Sequence, residues 1–350
     1  MQQLPYTSYY HFKIIVTKSL KKYCFYYTRI LHRGNVRAAV FFNRTHGTME
    51  NMNPLQECNI MKIIDCLNSK PVTLSFEVFP PKTDDGYESV AQAVTALSAL
   101  TPDYISVTYG AGGGTSQNTV RIASEIEGRL GTTALPHLSC VSSSREEVAY
   151  LLDQMEKNGL NNVLALRGDR PPVMADAASP EYDYHYAFQL VEDIKARGNF
   201  CIGAACYPEG HVECENKAMD LIYLKEKVDR GVDFLVTQMF FDNNVLYSFL
   251  YQAYRKNIQV PVVVGVMPVT AAKQIHRICQ MSGTTLTPRF KVILDKWGHD
   301  PEAMKQAGII YATEQIIDLV ANGVRGIHIY TMNKPEVAQK IKDNLGSLLS

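Results

Sequence analysis

From Cys58 onward the chain alternates short apolar runs with stretches whose apolar residues recur at helical spacing. A leading helix is expected over 59–67, a strand over 72–79, and a helix over 87–100, where Val90, Val94, Leu97 and Leu100 lie three and four residues apart. Further strands are expected over 104–109, 133–140, 162–166, 201–207, 234–241, 260–267 and 326–330. Helices are expected over 117–130, 185–197, 217–230, 245–256, 271–281, 301–321 and 334–349. Ser142-Ser143-Ser144 before Glu146-Glu147 is an N-cap signal with acids in the first turn, and that helix should stop at Asn158-Gly159. Residues 282–300 read as irregular.

Eight strand–helix units in this length fit a single α/β domain, a (β/α)8 TIM barrel, with parallel strands and right-handed crossovers. The strands read as nearly continuous apolar runs, which suits strands covered on both faces. An open doubly wound sheet is the alternative. It would carry G-x-G-x-x-G after its first strand, and that pattern is absent. The body shows no linker or second domain, so 51–350 is expected to be one catalytic barrel.

Composition changes the picture at the N-terminus. The chain as a whole is 46% apolar and 20% charged, as in soluble globular proteins, with zero formal net charge. Residues 1–49 hold eight basic side chains and no acid, so the remainder carries 27 basic against 35 acidic residues. An acidic body argues against nucleic-acid binding. The basic segment, 1–50, shows no sustained period and has three readings. It is an organellar transit peptide, a basic arm for a membrane or nucleic acid, or an upstream in-frame stretch with the native start at Met49 or Met52. The abrupt change at Met49-Glu50 favours the third, with 1–50 disordered or outside the native protein. No apolar run reaches the roughly 18–20 residues that cross a bilayer, and no membrane association is expected. Eight scattered cysteines form no C-x-x-C pair, which suits reduced thiols in the cytoplasm. His137-Leu138-Ser139-Cys140 lacks a second ligand pair, so no metal is expected.

In such a barrel the site lies at the carboxyl ends of the strands. Glu77 sits in Ser75-Phe76-Glu77-Val78-Phe79-Pro80-Pro81, where two prolines stop the first strand. Aromatic and β-branched neighbours would disfavour the charged carboxylate and keep a proton available for donation. An edge-strand glutamate pointing at solvent is the bland alternative. The second strand ends in Thr108-Tyr109-Gly110-Ala111-Gly112-Gly113-Gly114, a phosphate cradle or a flexible turn. The third passes His137, a ligand contact or a satisfied core histidine. The fourth ends at Arg167-Gly168-Asp169, whose charged pair could also be a structural ion pair. The fifth ends at Tyr207-Pro208-Glu209-Gly210-His211. Gln238, in an apolar strand, needs partners that an enclosed ligand would supply. Polar groups thus converge on one end of the barrel from at least six strands, which favours a ligand pocket.

Ser75–Pro81, Val107-Thr-Tyr-Gly-Ala111, Pro136-His137, Leu166-Arg-Gly-Asp169, Tyr207-Pro-Glu209, Thr237-Gln-Met-Phe-Phe241 and His328-Ile-Tyr-Thr-Met-Asn333 occur in one order over roughly 60–345. Together they resemble the bacterial type of methylenetetrahydrofolate reductase. The resemblance implies a cytoplasmic flavoprotein oxidoreductase of one-carbon metabolism, with FAD in a (β/α)8 barrel. NADH or NADPH would reduce the flavin and leave. The reduced flavin would then convert 5,10-methylenetetrahydrofolate to 5-methyltetrahydrofolate in a ping-pong reaction that supplies methyl groups for methionine synthesis. A homo-oligomer is expected. With no room for the large regulatory domain of eukaryotic relatives, control by S-adenosylmethionine is not expected.

By the same resemblance Glu77 is the general acid for N10 of the folate, and Asp169 holds the pterin and steadies its cationic form. FAD contacts fall on Tyr109, Ala111, His137, Arg167, Gly168, Asp169, Ala187, Tyr207, His211, Asp220 and Lys227, with Thr108 toward the nicotinamide. Folate contacts fall on Gln238, Gln274 and Lys334. Tyr223 and Glu226 depart from the basic and amide residues of many relatives, which implies a different hold on the adenosine end. Lys334 replaces an Arg and loses its bidentate fork. Two other classes remain open on the sequence: a flavin-free pterin-binding barrel methyltransferase, and a non-catalytic homologue in a redox complex.

Overall fold

The structure is a computed structural model. It describes residues 9–16, 23–32, 35–43, 61–81, 83–109, 116–141, 143–169 and 183–349, the first three segments as backbone only. The chain divides into two units, Met1–Asn59 and Ile60–Ser350. The first carries three antiparallel strands, Tyr9–Val16, Tyr23–His32 and Asn35–Asn43, paired in chain order. Their Tyr, Phe, Val and Ile content suits strands although no regular alternation marks them in the sequence. Met49 and Met52, the alternative starts, lie outside the described residues.

The second unit is a closed parallel barrel of eight strands. They are β1 (Thr73–Val78), β2 (Tyr104–Val107), β3 (Thr133–Ser139), β4 (Asn162–Leu166), β5 (Cys201–Cys206), β6 (Phe234–Thr237), β7 (Val262–Val266) and β8 (Gly326–Tyr330). The TIM barrel expected from alternation is therefore the fold. Helix α1 (Ile63–Ser69) precedes β1, and α2 (Tyr87–Ser98), α3 (Ser116–Gly128), α4 (Arg145–Lys157), α5 (Ala187–Arg197), α6 (Lys217–Asp229) and α7 (Asn243–Arg255) each follow one strand. After β7 come α8 (Ala272–Ser282), α9 (Pro288–Trp297) and α10 (Pro301–Ala321), and α11 (Pro335–Leu345) closes the chain. Ser144 caps α4 through a full capping box with Glu147, as its sequence predicts.

Strand alternation sorts the side chains into two cores. Leu74, Phe76, Val78, Ile105 and Val107 face outward and pack with the helices. Tyr104, Leu135, Leu164, Phe234, Val236 and Val263 fill the amino-terminal half of the barrel interior, where Ile63 and Leu67 of α1 join them as a plug. Asn162, fully buried on β4, pins that plug by accepting from Ile63 N at 2.9 Å and donating to Met61 O at 3.1 Å. The carboxyl-terminal half of the interior is left to polar residues.

Two stretches differ from expectation. Residues 282–300 contain α9 rather than an irregular segment. Thr287 caps it and Pro288 opens it, and Phe290 and Leu294, one helical turn apart, bury against Phe241, Val269 and Tyr311. The strand expected over 234–241 ends at Thr237. Phe240 and Phe241 stay buried but leave the ladder, and their carbonyls accept from Gln315 Nε2 and Tyr311 Oη of α10 at 2.9 and 2.8 Å.

Gly265 of β7 is required by the barrel's own packing. A Cβ there would lie 2.4 Å from the Tyr330 hydroxyl and 2.5 Å from the Thr237 carbonyl oxygen. Gly265→Ala is expected to lower stability in urea titration by about 1–3 kcal/mol, the usual cost of overpacking. Gly128 ends α3 with nothing near its would-be Cβ, and Gly128→Ala should raise stability by about 0.4–1 kcal/mol.

Candidate active site at the carboxyl face of the barrel

Glu77 points into the barrel because its neighbours Phe76 and Val78 point out. The same alternation corrects the expected setting. The carboxyl does not sit among its own strand's apolar side chains; its company comes from the adjoining β8 and from β3. It is buried, at 7% exposure, so the solvent-facing alternative falls. The β1–β8 seam fixes its backbone: Thr331 Oγ1 donates to Glu77 O at 2.6 Å. Asn333 Oδ1 accepts from Phe79 N at 2.8 Å while its Nδ2 donates to Phe79 O at 2.9 Å. Met332 and Asn333 take left-handed φ values of 53° and 56°, an uncommon state for non-glycine residues, to aim that amide at β1.

Two imidazoles face the carboxyl. His137 Nε2 and His328 Nε2 each lie 3.6 Å from Glu77 Oε2. Ser75 Oγ is 2.8 Å from His328 Nδ1, and Ser106 Oγ is 3.2 Å from its Nε2. Tyr330 stands edge-on to His328, and its hydroxyl donates to Thr237 O at 2.6 Å. Burial drives His137 down to about 4, against an opposing pull from Glu77. Its Nε2 has no hydrogen-bond partner, so it is not the satisfied core histidine of the bland reading. A carboxylate with two imidazoles suggests a metal ligand set, yet among the described residues no group of three such side chains has the geometry to hold an ion.

A second cluster stands at the ends of β4 and β5. Gly168 is required there: φ is +85° and a Cβ would fall 2.0 Å from Ser139 Oγ. Arg167 does not form the ion pair with Asp169 left open by the sequence. Its guanidinium forks onto Glu213, Nη1 and Nη2 lying 2.7 and 2.6 Å from the two carboxylate oxygens, while Asp169 stands exposed at the mouth. Glu213 N donates to His211 Nδ1 at 3.1 Å, and His211 packs edge-on against Tyr207 with centroids 4.7 Å apart. Burial pushes His211 and Lys227 down and Asp220 up. Lys227 Nζ donates to Ala205 O at 2.5 Å. Thr108, Tyr109 and Ala187 are half-buried nearby in sequence to the ends of β2 and the start of α5.

The third group lies by β6 to β8. Gln238 Oε1 accepts from Met239 N at 2.9 Å, so part of its amide is already satisfied. Lys334 Nζ donates to Thr270 Oγ1 at 2.8 Å, and both line a pocket with Met267, Ile275 and Met332. Glu226 pairs with Arg230 and Tyr223 is exposed. Ala111, the glycine loop and the Gln274 side chain lie outside the described residues. The sequence reading missed His328, Ser75, Ser106 and Tyr330 as site residues. The available signal was two-residue spacing, which puts Ser75 on Glu77's face and Tyr330 on His328's.

A family model described as methylenetetrahydrofolate reductase matches residues 62–346. A 5,10-methylenetetrahydrofolate reductase of Pectobacterium carotovorum subsp. carotovorum is 35% identical over 275 residues, which span 79% of this chain and 90% of that protein. Methylenetetrahydrofolate reductase (NADH) 1 of Arabidopsis thaliana is 34% identical over 301 residues, 82% of this chain but 51% of the plant protein. Among solved structures, an uncharacterized protein from Clostridium thermocellum that binds two copies of 5-methyl-5,6,7,8-tetrahydrofolic acid superposes with a TM-score of 0.55. It is 13% identical and covers 81% of this chain and 99% of its own, a likeness of fold. The chain belongs to the methylenetetrahydrofolate reductase family. That makes it an oxidoreductase of folate one-carbon metabolism, whose reaction is reduction of methylenetetrahydrofolate.

His137 has a measurable consequence. Its folded-state value near 4 lies below the ordinary 6.5, so between those values the unfolded chain binds the extra proton. The stability tied to neutral His137 is present above about pH 6.5 and is lost as pH falls toward about 4. His137→Asn should flatten this dependence, so its urea midpoint falls less than the parent's between about pH 7 and about pH 5.

Proposed function

We propose that this chain reduces 5,10-methylenetetrahydrofolate to 5-methyltetrahydrofolate with a nicotinamide donor through bound FAD, supplying methyl groups for methionine synthesis. The observation that carries the reading is a buried carboxyl inside the carboxyl-terminal half of the barrel, with two imidazoles 3.6 Å away. The residues fit an FAD. His137 Nε2 is a buried ring nitrogen lacking a partner, and Arg167 and Lys227 bring cationic donors to the same mouth. His211, Tyr207, Gly168 and Ala187 complete the surface that would hold it, with Thr108, Tyr109, Ala111 and Asp220. FAD, when bound, supplies a carrier that takes a hydride from the nicotinamide and gives it to the folate.

The chain's own task is the proton. Opening the folate's five-membered ring breaks the bond between N10 and the methylene carbon and leaves an iminium cation at N5. N10 cannot leave as an anion at neutral pH, so it needs a proton as the bond breaks. Glu77 gives it, and the new N10–H bond replaces the Glu77 O–H bond. Asp169, exposed beyond β4, would hold the pterin and offset the cation's charge. Gln238, Gln274 and Lys334 would fix the rest of the folate, with Lys334 serving as a point charge for the carboxylate tail. Water must be kept from the cation, which suits a site above the apolar layer of Leu135, Leu164, Phe234 and Val236.

The plant relatives carry NADH in their names, so the test uses both donors. Purified protein should show flavin absorbance, bleach anaerobically on addition of NADH or NADPH, and regain colour when methylenetetrahydrofolate is added. A colourless protein that takes up no FAD would overturn the reading in favour of a flavin-free folate enzyme. Bleaching without recovery of colour would favour a non-catalytic homologue.

A further inference from the structure

A general acid of this kind must stay protonated until substrate binds and regain a proton after every turnover. The surroundings of Glu77 determine how. Below the polar layer the barrel is closed by Leu135, Leu164, Phe234 and Val236, with Ile63 and Leu67 beneath. His328 is 1% exposed, with Tyr104 stacked on its ring and Glu77 Oε2 facing its Nε2. An imidazole in that position cannot relay protons from solvent. It can only set the state of the carboxyl in front of it.

Ser75 bears on the tautomer of His328. The Ser75 hydroxyl donates to Ile327 O at 3.2 Å and lies 2.8 Å from His328 Nδ1. A hydroxyl has one proton, so with that proton on the carbonyl, Ser75 accepts from Nδ1–H. In a neutral imidazole the other nitrogen is then an acceptor. Nε2, with its single lone pair, lies 3.2 Å from Ser106 Oγ and 3.6 Å from Glu77 Oε2. A carboxylate opposite an accepting nitrogen is repelled, whereas a carboxylic acid can donate to it. At 3.6 Å the contact is electrostatic rather than a hydrogen bond.

We propose that His328 is a positioning residue: held by Ser75 with Nδ1 protonated, it turns the Nε2 lone pair toward Glu77 Oε2 and so favours the protonated carboxyl over the carboxylate. This rests on the assignment of Glu77 as the acid. In each turnover the Glu77 O–H bond breaks and an N10–H bond forms. A proton from water entering at the mouth then restores the carboxyl, and His328 neither gains nor loses one. The titratable groups facing His328 are Glu77 of β1, Tyr104 of β2, stacked at 6.0 Å, and Tyr330 of its own strand, edge-on at 5.4 Å. His137 of β3 lies beyond the carboxyl. Burial holds both phenols neutral well above their ordinary range, so neither titrates near neutrality.

The test is an infrared titration of the protein as purified, following the carbonyl band of a protonated carboxyl that Glu77→Gln abolishes. In His328→Asn the midpoint for loss of that band should move down by about one pH unit, a tenfold change in proton affinity. Ser75→Ala, which keeps the ring but frees its tautomer, should move it the same way by less, and it carries the test if His328→Asn fails to fold. The high-pH limb of the folate half-reaction should move with the band. An unmoved or raised midpoint in the folded variants would overturn the proposal. A parent protein that shows the band and the shift but reduces no methylenetetrahydrofolate would instead overturn the functional reading and leave the pair intact.

Discussion

The closing seam between β8 and β1 is the constraint on which the site depends. In that register Glu77 pairs with Tyr330 and Ser75 with His328, so the first strand's carboxyl meets the last strand's imidazole only when the barrel shuts. The seam is held beyond the ladder by Thr331 and by the two-way amide contact of Asn333 with Phe79. That contact imitates a backbone pair where Pro80 and Pro81 have ended the real one. It also demands two consecutive left-handed residues, an expense in conformational strain that falls at the mouth of the pocket.

A polar layer inside a barrel is costly unless its members satisfy one another. Here the layer is divided. Ser75, Ser106 and the ring of Tyr104 surround His328, while His137 Nε2 has no hydrogen-bond partner. The apolar floor and the α1 plug make this asymmetry matter, because they leave one direction in which the carboxyl can exchange a proton. The ends of β4 and β5 add the charged groups that suit a large anionic cofactor, with Glu213 occupying the fork of Arg167 in the free protein.

The barrel was legible in the sequence because eight apolar runs, each followed by a helical pattern, admit few other folds. Glu77 was legible as a strand-exit carboxyl, but its surroundings were not. Local sequence shows Phe76 and Val78 beside it, and alternation turns both away. Its actual neighbours come from β3 and β8, a pairing that only barrel closure decides. His328 was hidden in a run that reads as apolar, as was Ser75 two positions before the acid. The helix α9 carried a cap and an opening proline in Thr287-Pro288, but only Phe290 and Leu294 supply its buried face. Arg167 and Asp169 stand close in sequence, yet the guanidinium found its partner in the next strand's loop.

On the proposed function, Glu77 supplies a proton to the folate and takes no part in reducing the flavin. Stopped-flow comparison of the two half-reactions in Glu77→Gln, which keeps the side chain's shape, separates these directly. The account predicts flavin reduction by NADH or NADPH near the parent rate, with the folate half-reaction slowed by at least about 100-fold. Equal slowing of both half-reactions would contradict it and make Glu77 a structural member of the barrel's polar layer.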